Sequence, residues 1–70
     1  MPEKHALAEH LKAIRKALGQ SQIEFSANCG ISVESLSLME RGLENPKLET
    51  LQKIAAYLGI TVAQLLDTSA

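Results

Sequence analysis

The chain has one cysteine, Cys29, in 70 residues. That excludes an internal disulfide framework and suits a reducing cytoplasm. Tryptophan is absent, and Phe25 and Tyr57 are the only aromatics. A core must therefore be aliphatic, built from Leu, Ile and Ala, which favour helix over sheet. No apolar run approaches the roughly 20 residues of a membrane span. The start, Met-Pro-Glu-Lys-His, is polar where a signal peptide would turn apolar. A soluble, cytoplasmic protein is expected. A basic excess is missing too: the net charge is −1, which provides no overall positive footprint for nucleic acid. No glycine-rich phosphate loop or nucleophile–base pair is present, and Ser32 and Ser35 read as caps and turns. His5 and His10 are wrongly spaced for one helical face, and no cysteine–carboxylate cluster completes a metal site. A domain of this size buries only about 60% of its unfolded surface, which leaves little room for a catalytic cleft. The expectation is a binding protein without metal or cofactor, not an enzyme.

What is present is helical punctuation. Leu7, Leu11, Ile14 and Leu18 recur at steps of four, three and four, one stripe of an amphipathic helix over about residues 3–18. Gly19 follows as its C′ residue, and Lys12, Arg15 and Lys16 suit the negative end of the helix dipole. Ser21-Gln22-Ile23-Glu24 is a capping box that opens a second helix over about 22–28. Gly30 marks the turn after it. Ser32 caps a third helix, about 32–41, with Leu36 and Met39 inward and Gly42 as its stop. Pro46 bars helix at Asn45. A fourth helix begins beside Lys47, carries Leu48, Leu51, Ile54, Ala55 and Leu58, and ends at Gly59. Thr61-Val62-Ala63-Gln64 is a second capping box that opens a fifth, and residues 67–70 are expected to fray. With loops of about two to five residues there is no room for strands. The expected fold is all-α, a five-helix orthogonal bundle forming one domain over residues 1–70.

Charge is unevenly spread. Lys4, Lys12, Arg15 and Lys16 outweigh Glu3 and Glu9, so the first twenty residues are basic. Between residues 21 and 46, Arg41 faces Glu24, Glu34, Glu40 and Glu44, and that third is acidic. Beyond it, Lys47 and Lys53 balance Glu49 and Asp67.

The order of these pieces resembles the phage-repressor and Cro-type (XRE) helix-turn-helix family, a lambda-repressor-like DNA-binding domain. The matching residues are Ile14-Arg15-Lys16 through Gly19, Ser21-Gln22, Gly30, Ser32 with Leu36-Ser37, Glu40-Arg41-Gly42, Asn45-Pro46, Leu48-Glu49-Thr50-Leu51, Ile54-Ala55 and Leu58-Gly59. The resemblance covers about residues 6–66. It implies that the third helix lies in the major groove of double-stranded DNA, with the second crossing above it. By that resemblance Ser21 and Gln22 stand at the backbone-clamping helix start, and Ser32 caps the third helix and approaches a phosphate. Val33, Glu34, Ser37 and Leu38 face base edges, and Arg41, Asn45 and Lys47 follow the far backbone. Arg15 and Glu40 match positions that form a partly buried ion pair. The chain departs from the pattern where Leu43-Glu44 replaces a commonly basic loop, Lys47 a serine or threonine cap, and Ser26 an alanine.

Several residues carry two readings. Glu34 either accepts from a cytosine amine or favours the positive helix start. Val33 and Leu38 either touch thymine methyls or face core edge and partner. Arg41 and Lys47 are phosphate contacts or solvated charges, and Cys29 reads as inert core. Tyr57, Val62, Leu65 and Leu66, with Leu43, exceed the apolar surface such a bundle needs and are candidates for a homodimer contact. The expected function is a transcriptional regulator or repressor bound as a homodimer to a near-palindromic operator. The rival is a protein-interaction module, or antitoxin-like partner, that keeps the fold with weak DNA binding.

Overall fold

A computed structural model describes residues 2–67, with side chains from Ala6 onward. Five helices follow in order: α1 Pro2–Ala17, α2 Gln22–Cys29, α3 Val33–Glu40, α4 Leu48–Leu58 and α5 Val62–Leu66. No strand occurs among the described residues. The side chain of His5 and the tail beyond Asp67, for which fraying was expected, lie outside them.

Both capping boxes form. Ser21 Oγ accepts from the Glu24 amide at 3.1 Å while Glu24 Oε1 accepts from the Ser21 amide at 2.9 Å. Thr61 and Gln64 repeat the exchange at 3.0 and 2.9 Å. Ser32 Oγ accepts from the Ser35 amide at 3.1 Å. Lys47 makes no side-chain cap. These bonds satisfy amides that a helix start leaves without partners.

At Gly30 the backbone turns left-handed, φ +80°, which a side chain would oppose. The Gly30 amide then reaches the Ala27 carbonyl and the Ile31 amide the Ser26 carbonyl, a Schellman closure. The same pair of bonds ends α1, α3 and α4. At Gly30 and Gly59 the residue that follows, Ile31 or Ile60, packs on the core. At Gly42 the residue that follows is Leu43, which is left exposed. Residues 41–47 form a longer connection than expected, because α3 stops at Glu40 and α4 waits for Leu48.

The helices enclose one cluster: Leu11 from α1, Phe25 and Cys29 from α2, Leu36 and Met39 from α3, Leu51 and Ile54 from α4, and Leu65 from α5. Phe25, wholly buried, meets the Tyr57 ring edge-on, with centroids 5.8 Å apart. Such a pair adds about 0.5–1.5 kcal/mol beyond burial.

Two expectations are corrected. Leu18 does not continue the α1 stripe: the helix stops at Ala17 and Leu18 is 48% exposed. Leu65 is no candidate for a contact between copies, since its exposure is 0%. The start of α5 turns Leu65 back under α4, where it packs with Ile54 in the cluster. Of its companions, Val62 is half-buried against the core, whereas Tyr57 and Leu66 retain exposed surface.

Burial pushes the Cys29 thiol up from 9.0 to about 11. The unfolded chain therefore releases this proton first, and the folded state loses stability as pH rises through that interval. Urea unfolding at stepped pH should show the wild type weakening between about pH 9 and 11 more steeply than Cys29→Ala. Parallel slopes would contradict a buried thiol.

Candidate nucleic-acid interface

The face that could meet DNA is built by α2, the Gly30 turn and α3. In α3 the three-residue step sends Leu36 and Met39 into the core, and Glu40 is buried as well. The opposite side carries Glu34, Ser37, Leu38 and Arg41, spaced i, i+3, i+4 and i+7 on one face. These four line a single shallow, open depression. Val33, 37% exposed, stands at the helix start beside the cap Ser32. Asn45 and Lys47, both exposed, sit on the connection that follows.

At the start of α2, Ser21 is exposed and its oxygen is engaged by the Glu24 amide. Gln22 is half-buried and does not stand free: its Nε2 donates to Glu40 Oε1 at 3.1 Å. The sequence offered Gln22 no use other than a DNA contact, and the structure supplies one.

Glu40 is the centre of the polar interior. Arg15 grips it with two parallel bonds, Nε to Oε2 at 2.8 Å and Nη2 to Oε1 at 3.0 Å. Arg15 Nη1 also donates to the Gln20 carbonyl at 2.9 Å. The carboxylate is 1% exposed and the guanidinium side chain 13%. The hydrogen bond to Glu40 raises the Arg15 pKa, burial lowers it, and the charge of Glu40 raises it further, for a net rise. No buried polar side-chain atom among the described residues lacks a partner. The acidity of the middle third is reduced accordingly: Glu40 is neutralised from α1. Glu24, Glu34 and Glu44 remain on or near the surface against Arg41 and Lys47.

A second polar group escaped sequence reasoning. Tyr57 Oη accepts from Gln20 Nε2 at 2.7 Å and from Asn28 Nδ2 at 3.2 Å, tying the α1–α2 turn and α2 to α4. Gln20, Asn28 and Tyr57 share no period or motif, so no local signal could have united them.

Residues 11–65 match the model of the Helix-turn-helix family. An HTH-type transcriptional regulator of Deinococcus deserti, DdrOP3, is 44% identical over 61 residues, covering 87% of this chain and 47% of that protein. The HTH-type transcriptional regulator SinR of Bacillus subtilis is 36% identical over 62 residues, covering 87% and 56%. The crystal structure of a hypothetical transcription factor from Neisseria superposes with a TM-score of 0.81 at 34% identity, covering 91% of this chain and 74% of that one. The chain spans about half the length of the curated relatives it matches. With the helix order, the capped turn at Gly30 and these relatives in agreement, the chain belongs to the XRE-type helix-turn-helix family.

Proposed function

We propose that the chain is a sequence-specific DNA-binding module of a transcriptional regulator. In this reading α3 enters the major groove and the start of α2 abuts the DNA backbone. The observation that carries it is the outward face of α3, where Glu34, Ser37, Leu38 and Arg41 line one open depression while the helix's other side is sealed into the core. Leu38 and Val33 suit thymine methyls and Glu34 a cytosine amine. Ser21, Gln22, Ser32, Arg41, Asn45 and Lys47 are assigned to phosphates and backbone.

The module acts as a homodimer on a near-palindromic operator in the cytoplasm, with half-sites roughly 34 Å apart. Tyr57 and Leu66, with exposed area on the α4–α5 side, and half-buried Val62 support that side as the contact. Each copy offers few cations, Arg41 and Lys47 foremost. The slope of log affinity against log salt is therefore expected to be shallow, roughly −4 for a dimer using both, at about −0.9 per phosphate.

Enrichment of duplexes from a random pool at low salt tests the reading. An enriched site supports it; no affinity better than about 10⁻⁵ M, the ordinary non-specific range, overturns it. That outcome would favour the rival protein-interaction module, which the surface carboxylates Glu24, Glu34 and Glu44 support. Glu34→Ala and Leu38→Ala should each shift base preference by about 1–3 kcal/mol at one position. Lys47→Ala should weaken all sites alike and flatten the salt slope by about 1. Identical behaviour of the three would refute these roles. In sedimentation, a concentration-independent species of 7.6 kDa removes the dimer.

A further inference from the structure

Glu40 holds Gln22 as well as Arg15. Its Oε1 accepts from Arg15 Nη2 at 3.0 Å and from Gln22 Nε2 at 3.1 Å. An ionised carboxylate can only accept. It therefore selects the nitrogen end of the glutamine amide and turns the carbonyl oxygen away. One N–H of Gln22 is used inward, and the second has no partner among the described residues.

We infer that Glu40 is a positioning residue for the DNA backbone contact, acting through Gln22. Arg15 fixes Glu40, Glu40 fixes the amide of Gln22, and the second N–H of that amide donates to a phosphate oxygen. The inference rests on the proposed reading that Gln22 faces DNA. A phosphate, like the carboxylate, only accepts, so the glutamine can bridge the two with its two N–H bonds. The bidentate guanidinium cancels the charge that would otherwise repel the phosphate. A long side chain held in place before binding gives up less freedom on contact. The family resemblance accounts for Arg15 and Glu40 as a structural pair; the bond from Gln22 connects that pair to the surface.

Two measurements test this. In ¹⁵N spectra of the wild type, the two Nε2 protons of Gln22 should differ, the inner one protected from exchange. On adding the enriched duplex, the outer proton should shift while the inner keeps its protection. Loss of that protection on binding would mean that Gln22 abandons Glu40 to reach DNA, and would overturn the relay. The second measurement is a mutant cycle. Gln22→Ala should weaken binding about tenfold in the wild type, as for a hydrogen bond to a charged group. With Arg15→Met and Glu40→Leu together, the same change should cost less than about threefold, since the glutamine is already unanchored. Equal penalties in both backgrounds overturn the relay while leaving DNA binding intact. A wild type that binds no duplex instead overturns the reading the relay serves.

Discussion

Arg15→Ala is expected to leave the chain largely unfolded at 25 °C. The substitution strands a carboxylate that is 1% exposed with Gln22 as its remaining side-chain donor. Removing one partner of a buried pair costs about 3–5 kcal/mol. A chain of 70 residues holds only roughly 4–10 kcal/mol in all. The loss of the Arg15 bond to the Gln20 carbonyl loosens the α1–α2 turn as well. Replacing both partners, Arg15→Met with Glu40→Leu, should restore most of the stability, because no unpaired charge then remains inside. Urea unfolding followed by circular dichroism decides between these outcomes. If Arg15→Ala loses less than about 1 kcal/mol, as an exposed ion pair would, the carboxylate is solvated and the description of the site is wrong.

Leu65→Ala is expected to cost about 3–5 kcal/mol, the range for truncating a buried leucine. Leu65 is the one buried residue of α5, a helix of five residues, far too short to persist without packing. Its loss should release α5 from Ile54 and α4 together. The substitution also separates two roles for this residue. A core leucine lowers stability by the same amount at every protein concentration, whereas an interface leucine would act through mass action. Leu66→Ala, on a residue 46% exposed, should change monomer stability by less than about 1 kcal/mol. Unfolding midpoints of the two variants over a hundredfold range of concentration provide the check. A Leu65→Ala midpoint that converges with the wild type on dilution would return Leu65 to the interface.

Much of the fold was legible from short-range chemistry. Ser21 with Glu24 and Thr61 with Gln64 announce helix starts because each cap is complete within four residues. Gly19, Gly30, Gly42 and Gly59 announce helix ends because the left-handed turn needs no distant partner. The three-four spacing in α1 and α4 announces buried faces for the same reason. The outward face of α3 followed once Leu36 and Met39 were assigned inward, since helical geometry leaves Glu34, Ser37, Leu38 and Arg41 on the other side.

The misreadings fall where a residue's environment is set by a remote element. Leu65 and Leu66 are adjacent and chemically identical, and nothing local distinguishes the one that α4 covers. Leu18 continues the apolar spacing, yet the Gly19 closure ends the helix before its side chain reaches the core. Tyr57 gathers Gln20 and Asn28 from positions 37 and 29 residues away.

By itself, then, the sequence determined the helices, their caps and stops, and the family to which their order belongs, because those features are written in neighbouring residues. Only the tertiary structure decided which apolar side chains are core and which are surface. It also decided that Glu40 is held by α1 on one side and by Gln22 on the other. Both depend on distances between helices, and those distances are set when the aliphatic cluster around Phe25, Leu36 and Ile54 closes.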